Sequence, residues 1–259
     1  LRENPFEFSK GRYSDVTSKT DLNGKLIIGN IDQFLTLMSG DKKLRSQIEK
    51  ADVDLMSGGP PCQGFSLAGK RIKDDYKNQL PLSFARIAGI VKPKVVILEN
   101  VKGITAPFKT EDGIKHHTHL EVAKAFSLEG FVPVCMMLNS KYFGVPQNRP
   151  RFILFAFRKD IFDSLKNRQK NSDRTNSILL NSLLFFNKVR LNRASLNEIK
   201  LIDIRVYDIE SDPFFFDGKL LPEIKTDESG FVTASDAIKD ISSVNKQYPL
   251  SEINSNYSV

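Results

Sequence analysis

The sequence predicts an α/β fold built around a mostly parallel sheet. Segments with strand and helix patterns alternate along the chain, and several strand-type segments are continuous apolar runs, as in sheets buried on both faces. The clearest unit is a strand at residues 53–57, a helix at 78–91 and a second strand at 94–98, and both strands are expected to be buried. This order places the carboxyl ends of both strands at one edge of the sheet, where ligands bind in α/β proteins.

The residues before this unit have a weaker pattern. Residues 1–23 show no clear period and are expected to be loop, whereas residues 25–29 form a short β-type run. A charged amphipathic helix is predicted at 42–51. In the helix at 78–91, Asn78 is expected to be the cap, and Pro81 falls in the first turn, where proline is tolerated.

The second half of the predicted sheet is an antiparallel hairpin. A helix at 119–128 is followed by two apolar strands at 131–138 and 152–157. The short link between these strands predicts an antiparallel pair at one edge of the sheet.

Beyond residue 157 the pattern weakens. Residues 160–200 are basic and rich in Asn and Ser, with one apolar patch at 178–186. Short β-like runs follow between residues 203 and 221.

Composition narrows the class of protein. A chain of 259 residues with 40% hydrophobic residues can bury a core. No run of about 18 apolar residues and no apolar N-terminal segment occurs, so neither a membrane span nor a signal peptide is expected. The two cysteines fit a reducing, cytoplasmic location, and Cys135, in an apolar run, is expected to be inert core. His116, His117 and His119 lack an acidic or Cys partner at ligand spacing, so no metal site is expected.

The net charge of +7 is unevenly distributed. Residues 141–193 carry 12 Lys or Arg and 3 Asp or Glu, a net of +9, whereas residues 194–259 carry 6 and 12, a net of −6. A basic middle region suggests a polyanionic partner, because phosphate neutralisation supplies most of the non-specific affinity for nucleic acids. A solvated, lysine-rich surface explains the charge equally well.

The stretch Asp54–Ser66, DLMSGGPPCQGFS, has the strongest chemical character in the chain. A strand ends in two glycines and two prolines, which prevent it from continuing into a helix. Cys62 follows on a stiff, irregular backbone that suits a nucleophile, although a lone cysteine is usually a small core residue. Since Glu99 follows the next strand, its carboxylate and the Cys62 thiol are expected to face one pocket.

Three segments together resemble the cytosine carbon-5 methyltransferases that act on DNA. Residues 58–66 resemble their nucleophile motif, and residues 99–101 (ENV) and 147–151 (QNRPR) resemble two further motifs, in the family's order and at similar spacing. Each motif alone is weak, but three in register over about 90 residues are hard to obtain by chance. The resemblance implies a Rossmann-like class I methyltransferase sheet, mostly parallel with an antiparallel edge hairpin, incomplete in this chain.

The resemblance also implies catalytic roles. Carbon 5 of cytosine becomes nucleophilic when the Cys62 thiolate adds to carbon 6 of the ring. Glu99 would donate a proton or hydrogen bond at ring nitrogen 3 as charge builds there. Arg151 would contact the cytosine oxygen and Arg149 would support it. Because carbon 6 is shielded in a duplex, the target base must be flipped out.

The other implied contacts are to the DNA and to the methyl donor, S-adenosyl-L-methionine. The expected substrate-binding residues are Gln63, Ser66, Lys70, Arg71 and Asn100. The expected donor-binding residues are Asn30, Ile31, Pro60 and Leu80. Asn30 stands where the family has an acidic residue that touches the adenine, and an equally good interpretation is that Asn30 or Asp32 caps the following helix.

The sequence departs from the family at both ends. No Gly-rich donor turn precedes residue 25, and the motifs expected after the sequence-reading region are missing. The chain is therefore expected to be a fragment or one part of a split enzyme that binds the donor poorly alone. A partial catalytic domain is predicted at 1–159, and an insertion with the lead-in to the target-recognition region at 160–259. The expected partners are double-stranded DNA and the missing portion of the enzyme.

Two other functions are compatible with the same motifs. The tRNA-modifying relatives of this family use the same three motifs, so tRNA is an alternative substrate. The missing donor turn also suggests a catalytically silent, methyltransferase-like binding subunit. The presence of the Cys, Glu and Arg set argues against loss of the catalytic site.

Overall fold

The computed structural model describes residues 19, 29–61, 79–109, 115–168, 173–192, 203–212, 215 and 231–238. Among these residues the strands are β1 (Leu55–Gly58), β2 (Val95–Val101), β3 (Phe108–Lys109), β4 (Lys115–His116), β5 (Phe131–Asn139), β6 (Pro150–Arg158) and β7 (Val206–Asp208). The helices are α1 (Ile31–Gly40), α2 (Lys42–Glu49), α3 (Leu80–Val91), α4 (Thr118–Leu128), α5 (Lys159–Arg168), α6 (Asp173–Leu191) and α7 (Ala234–Ile238).

Within the described residues, five of the strands form one mixed sheet in the order β1–β2–β6–β5–β7. β1 and β2 are parallel, with Leu55 opposite Val95 and Gly58 opposite Leu98. β6 is antiparallel to β2, because the N–H of Arg158, at the end of β6, donates to the carbonyl of Lys94, just before β2. The predicted Rossmann-like α/β fold, with parallel strands and an antiparallel hairpin in one sheet, is therefore confirmed.

The main core lies between the sheet and helices α3, α4 and α6. Leu98 of β2 and Phe152 of β6 pack there with Phe84 of α3 and Phe126 of α4. Cys135 of β5 is fully buried in the same core, as predicted, and burial raises the pKa of its thiol. A second cluster joins α1, α2 and α3.

The chain divides into two compact units. Unit 1 consists of Leu1–Met137 and Phe152–Tyr207, and unit 2 consists of Leu138–Arg151 and Asp208–Val259. The boundary predicted at residue 159 concerns the organisation of the enzyme and stays a prediction. No helix of the described residues is long and apolar enough to cross a membrane.

Three predictions for β1, β2 and α3 differ from the structure. β1 was expected to be buried, but it lies at the edge of the described sheet and Leu55 exposes 54% of its surface. β2 continues to Val101, so Glu99 lies inside the strand rather than after it. The N-cap of α3 is Gln79, without a side-chain bond, so the expected Asn78 cap is wrong.

The larger differences come after residue 157. The predicted hairpin of β5 and β6 is present, but β7 lies outside β5, so the hairpin is not at the edge of the described sheet. The basic segment from residue 159 contains two helices, α5 and α6. The buried residues of α6 recur at helical spacing: Ile178, Ser182, Phe185, Phe186 and Val189. The apolar patch was one buried stripe of a longer helix.

His119, at the start of α4, is a buried histidine whose neutral form the fold favours. It exposes 6% of its surface, and its Nδ1 has no hydrogen-bond partner in the described residues. Burial, with a smaller contribution from neighbouring His117, lowers the pKa of His119 to about 4 from 6.5. Between these values the unfolded chain binds more protons than the folded protein, so the free energy of unfolding falls as the pH decreases.

We expect His119→Leu to remove this pH dependence. A shift from 6.5 to about 4 corresponds to about 3 kcal/mol, present above pH 6.5 and lost as the pH falls towards 4. Urea unfolding at pH 7 and pH 4.5 measures the difference between wild type and variant. His117→Gln is the control, because it removes only the smaller electrostatic cause. Equal pH slopes for wild type and His119→Leu would contradict the expectation.

Candidate active site

A cavity of about 400 Å³ opens beside the end of β1. It is lined by Gly29, Asn30, Ile31, Gly58, Gly59, Pro60, Pro61, Leu80 and Phe84. The structure thus brings together all four residues that the resemblance assigns to the donor, although they come from three separate segments. The volume lies within the range of roughly 300–1,000 Å³ found for small-molecule sites.

A glycine shapes the wall of this cavity where β1 ends. A Cβ added to Gly58 would lie 2.6 Å from Cε2 of Phe84 and 2.7 Å from its Cζ, a distance that side-chain atoms do not tolerate. Phe84 is buried in the main core and has little room to retreat. Only glycine at position 58 therefore lets α3 pack directly against the end of β1.

Asn30 lies at the start of α1, one of the two helices that border the cavity. Oδ1 of Asn30 accepts a hydrogen bond of 2.8 Å from the N–H of Asp32, so Asn30 is the N-cap of α1. The interpretation that Asn30 caps the helix is therefore confirmed.

A polar contact joins the two helices that border the cavity. The hydroxyl of buried Ser83, in α3, donates to the carboxylate of Asp32. This contact ties α1 to α3 next to the lining residues.

Glu99 lies next to the loop that follows β1. The parallel register pairs Gly58 with Leu98, so Gly59 and Glu99 are the next neighbours along the two strands. A Cβ added to Gly59 would lie 3.2 Å from Oε2 of Glu99. The carboxylate is partly buried, on the opposite face of β2 from Asn100. It therefore lies beside the start of the loop that continues into residue 62.

Asn100 holds the same loop from inside the protein. Its side chain is 1% exposed, and its Nδ2 donates to the carbonyl of Pro60 at 3.1 Å. Its Oδ1 accepts from the N–H of Val101 at 2.9 Å. These contacts fix the path of the chain at Pro60, and a role for Asn100 in substrate binding stays a prediction.

The two arginines lie in unit 2: Arg149 is the last residue of the connection between β5 and β6, and Arg151 is the second residue of β6. Arg149 is exposed, and its N–H donates to Oδ1 of Asn139 at 3.0 Å. Arg151 is partly buried, and its Nη1 donates to the carbonyl of Pro150 at 2.9 Å. Their catalytic roles stay predictions.

The remaining predicted site residues lie outside the described residues: Cys62, Gln63, Ser66, Lys70 and Arg71. The described part of the nucleophile loop ends at Pro61. Within the described ranges, no group of three or more His, Cys, Asp or Glu is placed to hold a metal ion.

Among the residues that sequence reasoning missed at the cavity, Phe84 lines it and Ser83 supports it from α3. Phe84 lies four residues after Leu80 in α3, so a search for helical neighbours of the predicted donor residues could have found it. The contact of Ser83 with Asp32 joins residues 51 positions apart, and nothing in the local sequence indicates it.

The cavity fits an adenosine-type donor in size and chemistry. Leu80, Phe84 and Ile31 offer apolar surface to a flat base, and the backbone at Gly58 and Gly59 can approach a ligand closely because it carries no Cβ.

Comparison with known proteins identifies the family. The profile described as C-5 cytosine-specific DNA methylase matches residues 22–246. Similar proteins include the type II methyltransferases M.XorII of Xanthomonas oryzae pv. oryzae, M1.HphI of Haemophilus parahaemolyticus and M.DdeI of Desulfomicrobium norvegicum. They are 43%, 41% and 37% identical over 128, 133 and 129 residues.

These alignments cover 48%, 50% and 50% of this chain, and 28%, 34% and 29% of the three relatives. The matched part of the chain thus spans about a third of the length of these curated relatives. The family profile, in contrast, extends over most of the chain and includes the segments that form the cavity, Glu99 and the arginine-bearing connection. By this match the chain belongs to the C-5 cytosine-specific DNA methylase family.

Proposed function

We propose that the complete gene product transfers a methyl group from S-adenosyl-L-methionine to carbon 5 of a flipped-out cytosine in double-stranded DNA. The observation that carries this proposal is the position of the Glu99 carboxylate beside Gly59, in the loop that leads to Cys62. The donor-sized cavity opens at the same strand end. The Glu99 carboxylate and the donor-sized cavity thus both lie beside the first residues of the family's nucleophile motif.

The proposed chemistry needs a nucleophile and a proton donor. The Cys62 thiolate forms a bond to carbon 6 of cytosine, and the electron pair displaced from the 5,6 double bond makes carbon 5 nucleophilic. Glu99 stabilises the charge that builds at ring nitrogen 3 by donating a proton or hydrogen bond. Carbon 5 would gain the methyl group as the methyl–sulfur bond breaks and its electron pair stays on the sulfur. Transfer of the carbon 5 proton to water then restores the 5,6 double bond and releases the thiolate.

The cavity residues would hold the donor. Ile31, Leu80 and Phe84 would pack against the adenine, and Asn30 and the backbone of Gly58 would contact its polar atoms. When bound, S-adenosyl-L-methionine would supply an electrophilic methyl group on a sulfonium. Because Asn30 and Leu80 belong to α1 and α3, the Ser83–Asp32 contact would keep the two sides of the pocket at a fixed spacing.

Arginine and lysine residues would engage the DNA. We propose that Arg151 binds the oxygen of the flipped cytosine, with Arg149 in support, as the motif match suggests. The net charge of +9 over residues 141–193 supports contacts to phosphates. Since the reported relatives are bacterial proteins, we propose that the reaction takes place in the cytoplasm.

We expect Cys62 to be trapped on duplex DNA that contains 5-fluorocytosine. The fluorine cannot leave as a proton does, so the covalent adduct persists after methyl transfer. Denaturing electrophoresis would show an adduct for wild type and for Cys135→Ala, because the thiol of Cys135 is buried. Cys62→Ala should give none. An adduct that persists in Cys62→Ala, or is lost only in Cys135→Ala, would refute this assignment.

Glu99→Gln should lower the rate constant of methyl transfer by at least about 100-fold, because a general acid contributes roughly that much or more. Single-turnover transfer of tritiated methyl groups to duplex DNA provides the measurement. Glu121→Gln, which removes an exposed carboxylate paired with Lys124, is the matched control and should leave the rate unchanged. A Glu99→Gln enzyme with the wild-type rate would contradict the role of this carboxylate.

Leu80→Ala should weaken donor binding about three- to tenfold by removing apolar contact from the cavity. Calorimetric titration of S-adenosyl-L-methionine into the complete protein measures the affinity. Leu165→Ala makes the same change on α5, at a half-exposed side chain outside the cavity lining, and should leave the affinity unchanged. The same affinity loss in both variants would argue against a donor site at this cavity.

A further inference from the structure

The arginine-bearing connection in unit 2 is held by one buried side chain. We call residues 140–149 the arginine loop, since they link the end of β5 to β6 and include Arg149. Within this loop, the hydroxyl of Ser140 donates to the carbonyl of Gln147 at 2.6 Å. The N–H of Ser140 donates to the carbonyl of Arg149 at 3.3 Å, which closes the loop at its base.

Asn139 uses its whole carboxamide to hold this loop. Its Oδ1 accepts from the N–H of Arg149 at 3.0 Å and of Lys141 at 3.3 Å. Its Nδ2 donates to Oδ1 of Asn148 at 2.7 Å and to Oε1 of Glu210 at 2.9 Å. The side chain is 2% exposed, so water cannot replace these bonds without opening the unit. Every donor and acceptor of the carboxamide is in use.

Two of these partners fix which way the carboxamide faces. A backbone N–H can only donate and a carboxylate can only accept, so the oxygen of Asn139 must face Arg149 and its nitrogen must face Glu210. The amide of Asn148 can present either atom and does not decide the matter. Glu210 therefore acts as the group that orients Asn139, as a second layer of contacts does for many functional side chains.

Glu210 and its neighbours bring distant segments to the loop. Glu210 also pairs with Nζ of Lys141 at 2.8 Å, and its own N–H donates to the carboxylate of Asp208 at 3.0 Å. The ring of Tyr142 packs edge-on against Phe231, with 5.3 Å between their centroids. The loop is thus anchored to parts of unit 2 that lie about 70 and 90 residues later in the chain.

We propose that Asn139 is a positioning residue for methyl transfer, which sets the backbone position of Arg149, and that Glu210 holds Asn139 in the required orientation. This inference rests on the proposed function of the arginines. It does not require Asn139 or Glu210 to touch DNA or donor. A displaced loop would carry Arg149, and Arg151 just after it, away from the productive geometry, and small displacements of this kind lower rates strongly.

The test is a pair of substitutions in the complete gene product. Asn139→Asp keeps the size and both acceptor contacts, but it places a carboxylate oxygen against Glu210. We expect kcat on duplex DNA to fall at least about tenfold, with the KM for S-adenosyl-L-methionine unchanged. Adding Glu210→Gln supplies an amide donor to the new carboxylate, so the double variant should recover most of the lost kcat. Glu210→Gln alone should stay within about threefold of wild type, since a glutamine oxygen still accepts from Asn139.

Hydrogen exchange of the Arg149 amide gives a readout that does not depend on methylation. Asn139→Asp should speed this exchange at least about tenfold, and the double variant should reverse the change. Asn181→Asp is the matched control, because Asn181 donates to the hydroxyl of Tyr207 at 3.2 Å, in unit 1. It should alter neither kcat nor the exchange.

The outcomes separate the two claims. If wild type transfers no methyl group but exchange responds as expected, the proposed function fails and the positioning of Arg149 by Asn139 stands. The inference is overturned if Asn139→Asp keeps the wild-type kcat and exchange, if the double variant is no better than Asn139→Asp, or if kcat and KM change together. Should Asn139→Asp fail to fold, Glu210→Ala replaces it: at least a threefold loss of kcat with unchanged KM supports the inference, and wild-type kcat overturns it.

Discussion

The parallel pairing of β1 with β2 is the constraint on which the candidate site depends. Gly58 lies opposite Leu98 in the parallel register. The next residues along the two chains, Gly59 and Glu99, therefore lie side by side. A shift of the register by one residue would turn Glu99 to the other face of β2 and bring Asn100 in its place. The buried bond from Asn100 to the carbonyl of Pro60 opposes such a shift. One strand pair therefore sets both the position of the carboxylate and the path of the loop that leads to residue 62.

The cavity depends on that pairing and on the packing of α3. Its lining comes from the start of α1, the end of β1 and the first turn of α3. Gly58 lets Phe84 reach the strand end, and the hydroxyl of Ser83 holds Asp32 at the start of α1. A buried polar contact such as this one is costly to leave unpaired, so it favours one spacing of the helices over others. The pocket is thus a consequence of core packing, and the residues that build it include several that need not contact a ligand.

Unit 2 shows the same division between residues that bear chemistry and residues that place them. The arginine loop contains no long helix or strand that could hold it rigid, and its conformation depends on a buried carboxamide with four hydrogen bonds. Glu210 supplies the contact that makes an asparagine, rather than an aspartate, the suitable residue at position 139. Loops that carry function are often mobile, and a fully satisfied polar network is one way to restrict that motion.

The sequence by itself determined the main helices and strands from α2 to β6, the family motifs and the four cavity residues, because apolar periodicity, Gly-Pro punctuation and short motifs are local properties of the chain. The β-type run predicted at 25–29 lies almost entirely outside the described residues, and β3 and β4 were not predicted. The sequence misjudged the burial of β1 and the cap of α3. It also did not predict the basic helices α5 and α6, because polar residues between the buried positions obscured the apolar periodicity of a helix. Only the tertiary structure decided that Gly59 meets Glu99, that Ser83 meets Asp32 and that Asn139 meets Glu210. These contacts join residues 40 to 71 positions apart, and such pairs are selected by strand register and close packing, which no local pattern encodes.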